Sequence, residues 1–305
     1  MLNEDFQKIQ KKIVELKEKQ NAILLVHNYQ RPEIQEIADY LGDSLGLARQ
    51  AAETDAEKII FCGVEFMAET AKILSPDKEV LLPEKDAGCP MANMVTAEEV
   101  LEMKKKHPNA QVVSYVNTTA SVKAVSDVCC TSSNAVKVVQ NLDADEIIFV
   151  PDKNLGSWVK RFVDKKMILW EGFCYVHHRI TPEDIKKSKK EMPEAPVIVH
   201  PECRPQVADL ADRVESTGGM VKFAEETEAE RIIIGTESGI LHRLKQENPH
   251  KSFFTAGPPR ICVNMKKITP TSILDVLQSN KNKIEVPKEI AGPAKNALDA
   301  MLRYS

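Results

Sequence analysis

The sequence has no uninterrupted apolar run approaching the roughly 18 residues of a membrane span. Its opening stretch, MLNEDFQKIQKKIVELKEKQ, is charged throughout, so a cytoplasmic protein with no membrane partner is expected. Neither sign of charge dominates: 41 Lys and Arg are interspersed with 45 Asp and Glu, giving a net charge of −4 and no basic stripe for nucleic acid. There is no Gly-rich nucleotide fingerprint, so ATP and NAD are not indicated as ligands. Close cysteine pairs of the kind that mark structural zinc are also missing. The seven cysteines, an odd number, are expected to be thiols or metal ligands and not a disulfide framework.

What is present is an ordinary core-forming composition, 43% apolar and 28% charged. Length alone suggests about two domains, but an internal repeat argues for three. Three stretches share a plan: VLLPEKDAGCPMANMVTAEEV, ILWEGFCYVHHRITPEDI and FFTAGPPRICVNMKKITPTSI each carry an apolar run, a loop cysteine and a Thr opening the next helix. Cys89, Cys174 and Cys262 stand 85 and 88 residues apart, and Thr96, Thr181 and Thr269 repeat both intervals. Apolar runs that read as first strands end at His27, Tyr115 and His200, 88 and 85 residues apart. Such shared spacing argues for three homologous α/β units, expected at 1–95, 96–180 and 181–305. Each reads as a Rossmann-like unit with a three-stranded parallel sheet and helices on both faces, the three set around a pseudo-threefold axis. A helix is expected from Pro32 to about Leu41, and the last helix over roughly 288–303. The opening helix should bury a face of Phe6, Ile9, Ile13 and Leu16.

Ligands of parallel α/β sheets bind at the carboxyl ends of the strands, where three polar sets fall. Taken singly, each loop cysteine is a small hydrophobe. Repeated at one address, Cys89, Cys174 and Cys262 can converge. Zinc would want a fourth ligand, whereas a [4Fe-4S] cluster held by three cysteines keeps one iron without a protein ligand, which favours dehydration chemistry. Cys62, Cys129, Cys130 and Cys203 have no threefold counterparts and read as structural. His27, Tyr29, Tyr115, Asn117, His200 and Glu202 follow the first strands. The last two can border one cavity only if the chain turns at Pro201, and they suit acid and base work. Ser44, Ser132 and Thr217 sit at helix starts, where capping explains each alone and anion binding explains all three together. A cluster hydro-lyase acting on another dicarboxylic acid, or an iron-sulfur sensor, fits these residues as well.

Long stretches carry a more specific likeness: HNYQRPEIQEIADYLGDSLGLAR, GCPMAN, YVNTTASVKAVSDVCCTSSNAV, GFCYVH, VIVHPEC, STGGM, GTESG and ICVNMKK. They span nearly the whole chain from residue 21 to about 267, and they resemble the quinolinate synthase family of NAD biosynthesis. The resemblance implies a [4Fe-4S] cluster on Cys89, Cys174 and Cys262. It implies condensation of iminoaspartate with dihydroxyacetone phosphate, functionally coupled to an iminoaspartate-producing enzyme. It implies substrate contacts from His27, Ser44, Tyr115, Asn117, Ser132, His200, Glu202 and Thr217. Tyr29 would lie near the reacting centre, with Glu202 as general acid/base beside His200 and Tyr115.

Overall fold

A computed structural model describes residues 4–304. It contains three parallel sheets. The first is built from β1 (Ala22–His27), β2 (Tyr40–Gly42), β3 (Lys58–Cys62) and β4 (Glu79–Leu81). The second comprises β5 (Gln111–Tyr115), β6 (Val128–Cys130), β7 (Glu146–Val150) and β8 (Lys166–Leu169), and the third β9 (Val197–Val199), β10 (Arg213–Val214), β11 (Arg231–Gly235) and β12 (Ser252–Thr255). The strand orders are β2-β1-β3-β4, β6-β5-β7-β8 and β10-β9-β11-β12, the same permutation three times. Central pairs keep equivalent register, with Leu24 opposite Ile60, Val113 opposite Phe149, and Ile198 opposite Ile234.

Each sheet therefore has four strands, not the three read from the sequence. The additional ones are the edge strands β2, β6 and β10, two or three residues long, too short to show a period. The helix expected from Pro32 to about Leu41 is one turn, Pro32–Gln35, followed by β2. A carboxylate makes this turn back into the sheet possible. Asp39, Asp127 and Asp212 precede the three edge strands and accept the backbone N–H of Leu24, Val112 and Val197. Each is also paired with a lysine of the preceding long helix, namely Lys17, Lys104 and Lys189. The repeat thus includes a clamp joining helix, first strand and edge strand.

Side-chain alternation along the strands divides the core. Val113 and Phe149 of the second sheet, and Ile198, Ile232 and Ile234 of the third, join the large cluster around the first sheet. Their neighbours of opposite parity, Val112 and Ile148, and Val197, Val199 and Ile233, form two smaller clusters on the outer faces. In the opening helix Ile13 is fully buried, Ile9 and Leu16 are half-buried, and Phe6 is 36% exposed, so the expected face is shorter by one residue. Thr96, Thr181 and Thr269 each cap a helix through a reciprocal box with the residue three positions on, which accounts for their periodicity. The C-terminal segment covers edges and seams. Lys283 bridges to Leu81 at the open edge of β4, and helix Lys288–Arg303 lies across β6 and helix Ala120–Ala124. Among the described residues no helix is long and apolar enough to cross a membrane.

Phe149→Ala, which empties a fully buried ring from the shared core, should cost about 3–5 kcal/mol of stability. Thr181→Ala should cost about 1 kcal/mol. Urea unfolding followed by circular dichroism measures both, and equal costs would contradict the assignment of Phe149 to the shared core.

Candidate active site

With strand order 2-1-3-4 the chain reverses its direction of advance at the first strand, and the crevice of such a sheet opens beyond that strand's carboxyl end. In the first and third units a tight turn follows there, and in the second the Thr118 hydroxyl donates to the Tyr115 carbonyl in its place. The Gln30 N–H closes onto the His27 carbonyl, and the Cys203 N–H onto that of His200. The turn at Pro201 is the one needed to bring His200 and Glu202 to one side. As a result His27 and Tyr29, Tyr115 and Asn117, and His200 and Glu202 all line a single cavity of about 760 Å³, mouth included. Ser44, Ser132 and Thr217 line it too, as do Cys89, Cys174 and Cys262. The other four cysteines are buried elsewhere.

The turns also fix the histidines. Nδ1 of His27 accepts the Tyr29 N–H at 3.1 Å, and Nδ1 of His200 accepts the Glu202 N–H at 3.3 Å. Each ring is therefore left with Nε2–H as its donor. Burial pulls the His27 pKa down to about 4, and burial with the neighbouring His177 pulls that of His200 to about 3, so both are neutral at neutral pH. Burial raises the Tyr29 and Tyr115 hydroxyls well above their ordinary range, with the charge of Glu202 next in effect, so both stay protonated. Oδ1 of Asn117 is buried without a hydrogen-bond partner.

At one end of the cavity three helix starts meet. The residues doing the capping are Asp43 and Ser216, which accept the N–H groups of Gly46 and Gly219. Ser44 and Thr217 are the first residues inside their helices, so their hydroxyls are spared from capping. Ser132 lies in the turn before helix Ala135–Asn141. The Ser133 hydroxyl donates to Asp43 Oδ2 at 2.8 Å and lies 2.9 Å from Ser216 Oγ, so one side chain from each unit joins a chain of hydrogen bonds at the mouth.

At the other end the cysteine loops are tied to the ends of the third strands. Glu237, fully buried, accepts the Cys262 N–H at 3.1 Å and the Gly239 N–H at 2.6 Å, and pairs with Lys266 at 3.2 Å. Asp152 occupies the matching position in the second unit, 85 residues earlier, beside the Cys174 N–H. There Gly172 bridges to Asp152, and a Cβ on Gly172 would meet the Pro151 carbonyl at 2.4 Å, so only glycine lets the loop approach. The first unit has Val64 at this place, which lines the cavity. Burial pushes the Cys89 thiol up to about 12 and also raises those of Cys174 and Cys262.

Glu202 is 3% exposed. Burial raises its pKa, but His177, His200 and the Tyr115 hydroxyl outweigh burial and hold it down at about 2, so it is ionised. His177 Nδ1 lies 2.5 Å from Glu202 Oε2, close in distance but out of line for a hydrogen bond. Nε2 of His177 lies 2.7 Å from Thr236 Oγ1, which contacts the Tyr29 hydroxyl at 2.5 Å. From sequence, His177 stands beside the Cys174 loop with its role open, either shaping the loop or shielding a cluster, and Asp152, Thr236 and Glu237 carry no assigned role. Extending the repeat arithmetic to the third-strand ends would have found Asp152 and Glu237.

Fold and cavity together define an α/β protein whose candidate active site is shared among three small parallel-sheet units. Residues 11–303 match the family described as "Quinolinate synthetase A protein". Proteins named quinolinate synthase from Methanoregula boonei (57% identical, covering 96% of this chain and 97% of that one) and Geotalea uraniireducens (56%, 92% and 93%) are close relatives. So is that of Caldicellulosiruptor saccharolyticus (53%, 99% and 100%). The chain belongs to the quinolinate synthetase A family.

The buried neutral histidines give a pH signature. An unfolded histidine titrates near 6.5, whereas His200 in the fold does so at about 3, so the unfolded chain binds more protons and stability falls as pH drops below 6.5. His200→Asn should make that fall shallower, by up to about 1.4 kcal/mol per pH unit between pH 6.5 and 5. Urea unfolding across this window checks it, and an unchanged slope would mean that His200 is protonated in the fold.

Proposed function

We propose that this cavity condenses iminoaspartate with dihydroxyacetone phosphate to quinolinate, a precursor of NAD, releasing phosphate and two waters. On this reading Cys89, Cys174 and Cys262 hold a [4Fe-4S] cluster. The observation that carries the proposal is that three repeat-equivalent cysteines and three strand-end pairs line one cavity.

The donor set fits such a cluster. All three thiols are free and line the cavity, and the loops of Cys174 and Cys262 are anchored through the cysteine N–H groups. Burial holds them neutral, so a bound cationic group would be needed to stabilise the thiolates, with release of protons. When bound, the cluster supplies an iron open to substrate oxygen and able to act as a Lewis acid.

The chain's own residues do the rest. The hydroxyls of Ser44 and Thr217, at the first positions of their helices, and of Ser132, in the turn before a third helix, are suited to the phosphate. No lysine or arginine lines the described cavity. His27 and His200 offer Nε2–H donors to substrate carboxylates without placing a full positive charge beside them. Asn117 Oδ1, unpartnered, accepts from the imine N–H or a hydroxyl. Glu202, ionised, removes a proton from the condensing carbon or nitrogen and can return it to a departing hydroxyl. Tyr29 and Tyr115 donate as neutral phenols, and burial keeps bulk water from the imine. Because an imine hydrolyses in water, coupling to the enzyme that makes iminoaspartate follows from the substrate's chemistry. The cytoplasm, where thiols stay reduced, suits this site.

Anaerobically purified protein should be brown and carry about four irons per chain, and with the two substrates it should yield quinolinate. Protein that stays colourless and iron-free after anaerobic reconstitution with iron and sulfide in the absence of zinc would defeat the cluster assignment. Glu202→Gln should keep the iron content and lose about a hundredfold or more in turnover. Product formation at the wild-type rate in that variant would remove Glu202 from the mechanism.

A further inference from the structure

Cys174, His177 and Glu202 each present one ligand atom, and these atoms lie within 4.8 Å of one another. Cys174 caps the short helix Tyr175–His178, which brings His177 back beside it, and Glu202 approaches from the turn after β9. His177 is 2% exposed. Its ring is pinned through Nε2 at Thr236 Oγ1, while Nδ1 is buried, without an aligned hydrogen bond, and faces Glu202. An imidazole held at one nitrogen by an oxygen, with the other nitrogen left over, is the arrangement proteins give to a ligating histidine.

We propose that this trio is a second, single-ion site, which takes a divalent cation of the zinc type in the cluster-free chain. Sharing Cys174 makes it mutually exclusive with the cluster. Sulfur, nitrogen and oxygen donors suit Zn²⁺, and its bonds of about 2.0–2.3 Å imply tetrahedral ligand separations of roughly 3.3–3.6 Å. The trio's separations run from 2.5 Å to at most 4.8 Å, so shifts of side chains by about 1 Å bring three ligands to zinc distance, and a water from the cavity would take the fourth position. Charge also balances, since a thiolate and the Glu202 carboxylate neutralise the ion. The set is tighter than a cluster needs: among the described residues, Cys89 and Cys262 belong to no such group. Zn²⁺ outcompetes Fe²⁺ at equal ligands, so the site captures the wrong metal for cluster assembly and occupies Glu202 while it does so. The ion site stands apart from the function proposed above, whereas the exclusion rests on it.

The test uses full-length, cluster-free protein under anaerobic conditions, with Co²⁺ as an optical probe. A thiolate-to-cobalt absorption should saturate at a single equivalent and vanish on adding Zn²⁺. Cys174→Ser, His177→Ala and Glu202→Gln should each weaken Co²⁺ binding by at least about tenfold, and Thr236→Val by about tenfold through the His177 ring. Cys89→Ser and Cys262→Ser should leave it unchanged. An equal loss in those two variants, or no thiolate absorption, overturns the site. Reconstitution with iron and sulfide, with and without one equivalent of Zn²⁺, then tests exclusion. Zinc should suppress cluster formation in the wild type but not in Glu202→Gln, which keeps all three cysteines. Full reconstitution of the wild type in the presence of zinc overturns exclusion. Failure without zinc counts against the cluster reading, and the cobalt titration still decides the ion site.

Discussion

A parallel sheet in which the first strand lies inside leaves a crevice beyond that strand's end, because the connections on either side of it depart in opposite directions. Here the same constraint operates three times, and the three crevices open onto one another. No unit holds a complete set of groups: the two strand-end histidines come from the first and third, the unpartnered amide from the second, and a cysteine loop from each. The clamp of Asp39, Asp127 and Asp212 is what keeps the geometry, since it fixes the first strand to its helix and edge strand before any side chain reaches the cavity.

The second organising influence is dryness. Burial neutralises His27 and His200, keeps both tyrosines protonated and keeps the thiols from ionising unaided. Glu202 alone is driven the other way, by the side chains around it. A cavity in which Glu202 is held ionised among several neutral donors can sort ligand groups by hydrogen-bond direction more than by long-range charge.

Sequence reading reached the fold class and brought every candidate residue to the cavity because both depend on positions fixed by a repeat. Strands such as 58–62 and 111–115, buried on both faces, declare themselves as apolar runs. The edge strands did not, because two or three residues carry no period and their position is set by distant carboxylates. Ser44 and Thr217 were placed correctly for a reason that needed changing: Asp43 and Ser216 cap, and the neighbouring hydroxyls are thereby released. Thr236 stayed silent, and the role of His177 stayed open, because their meaning lies in contacts across units, which no local pattern encodes.

The hydrogen-bonded chain Asp43–Ser133–Ser216 contains one residue from each unit. The rim of the cavity and the seam between the three units therefore share atoms, so a substitution at Ser133 touches the opening and the junction of the units at once.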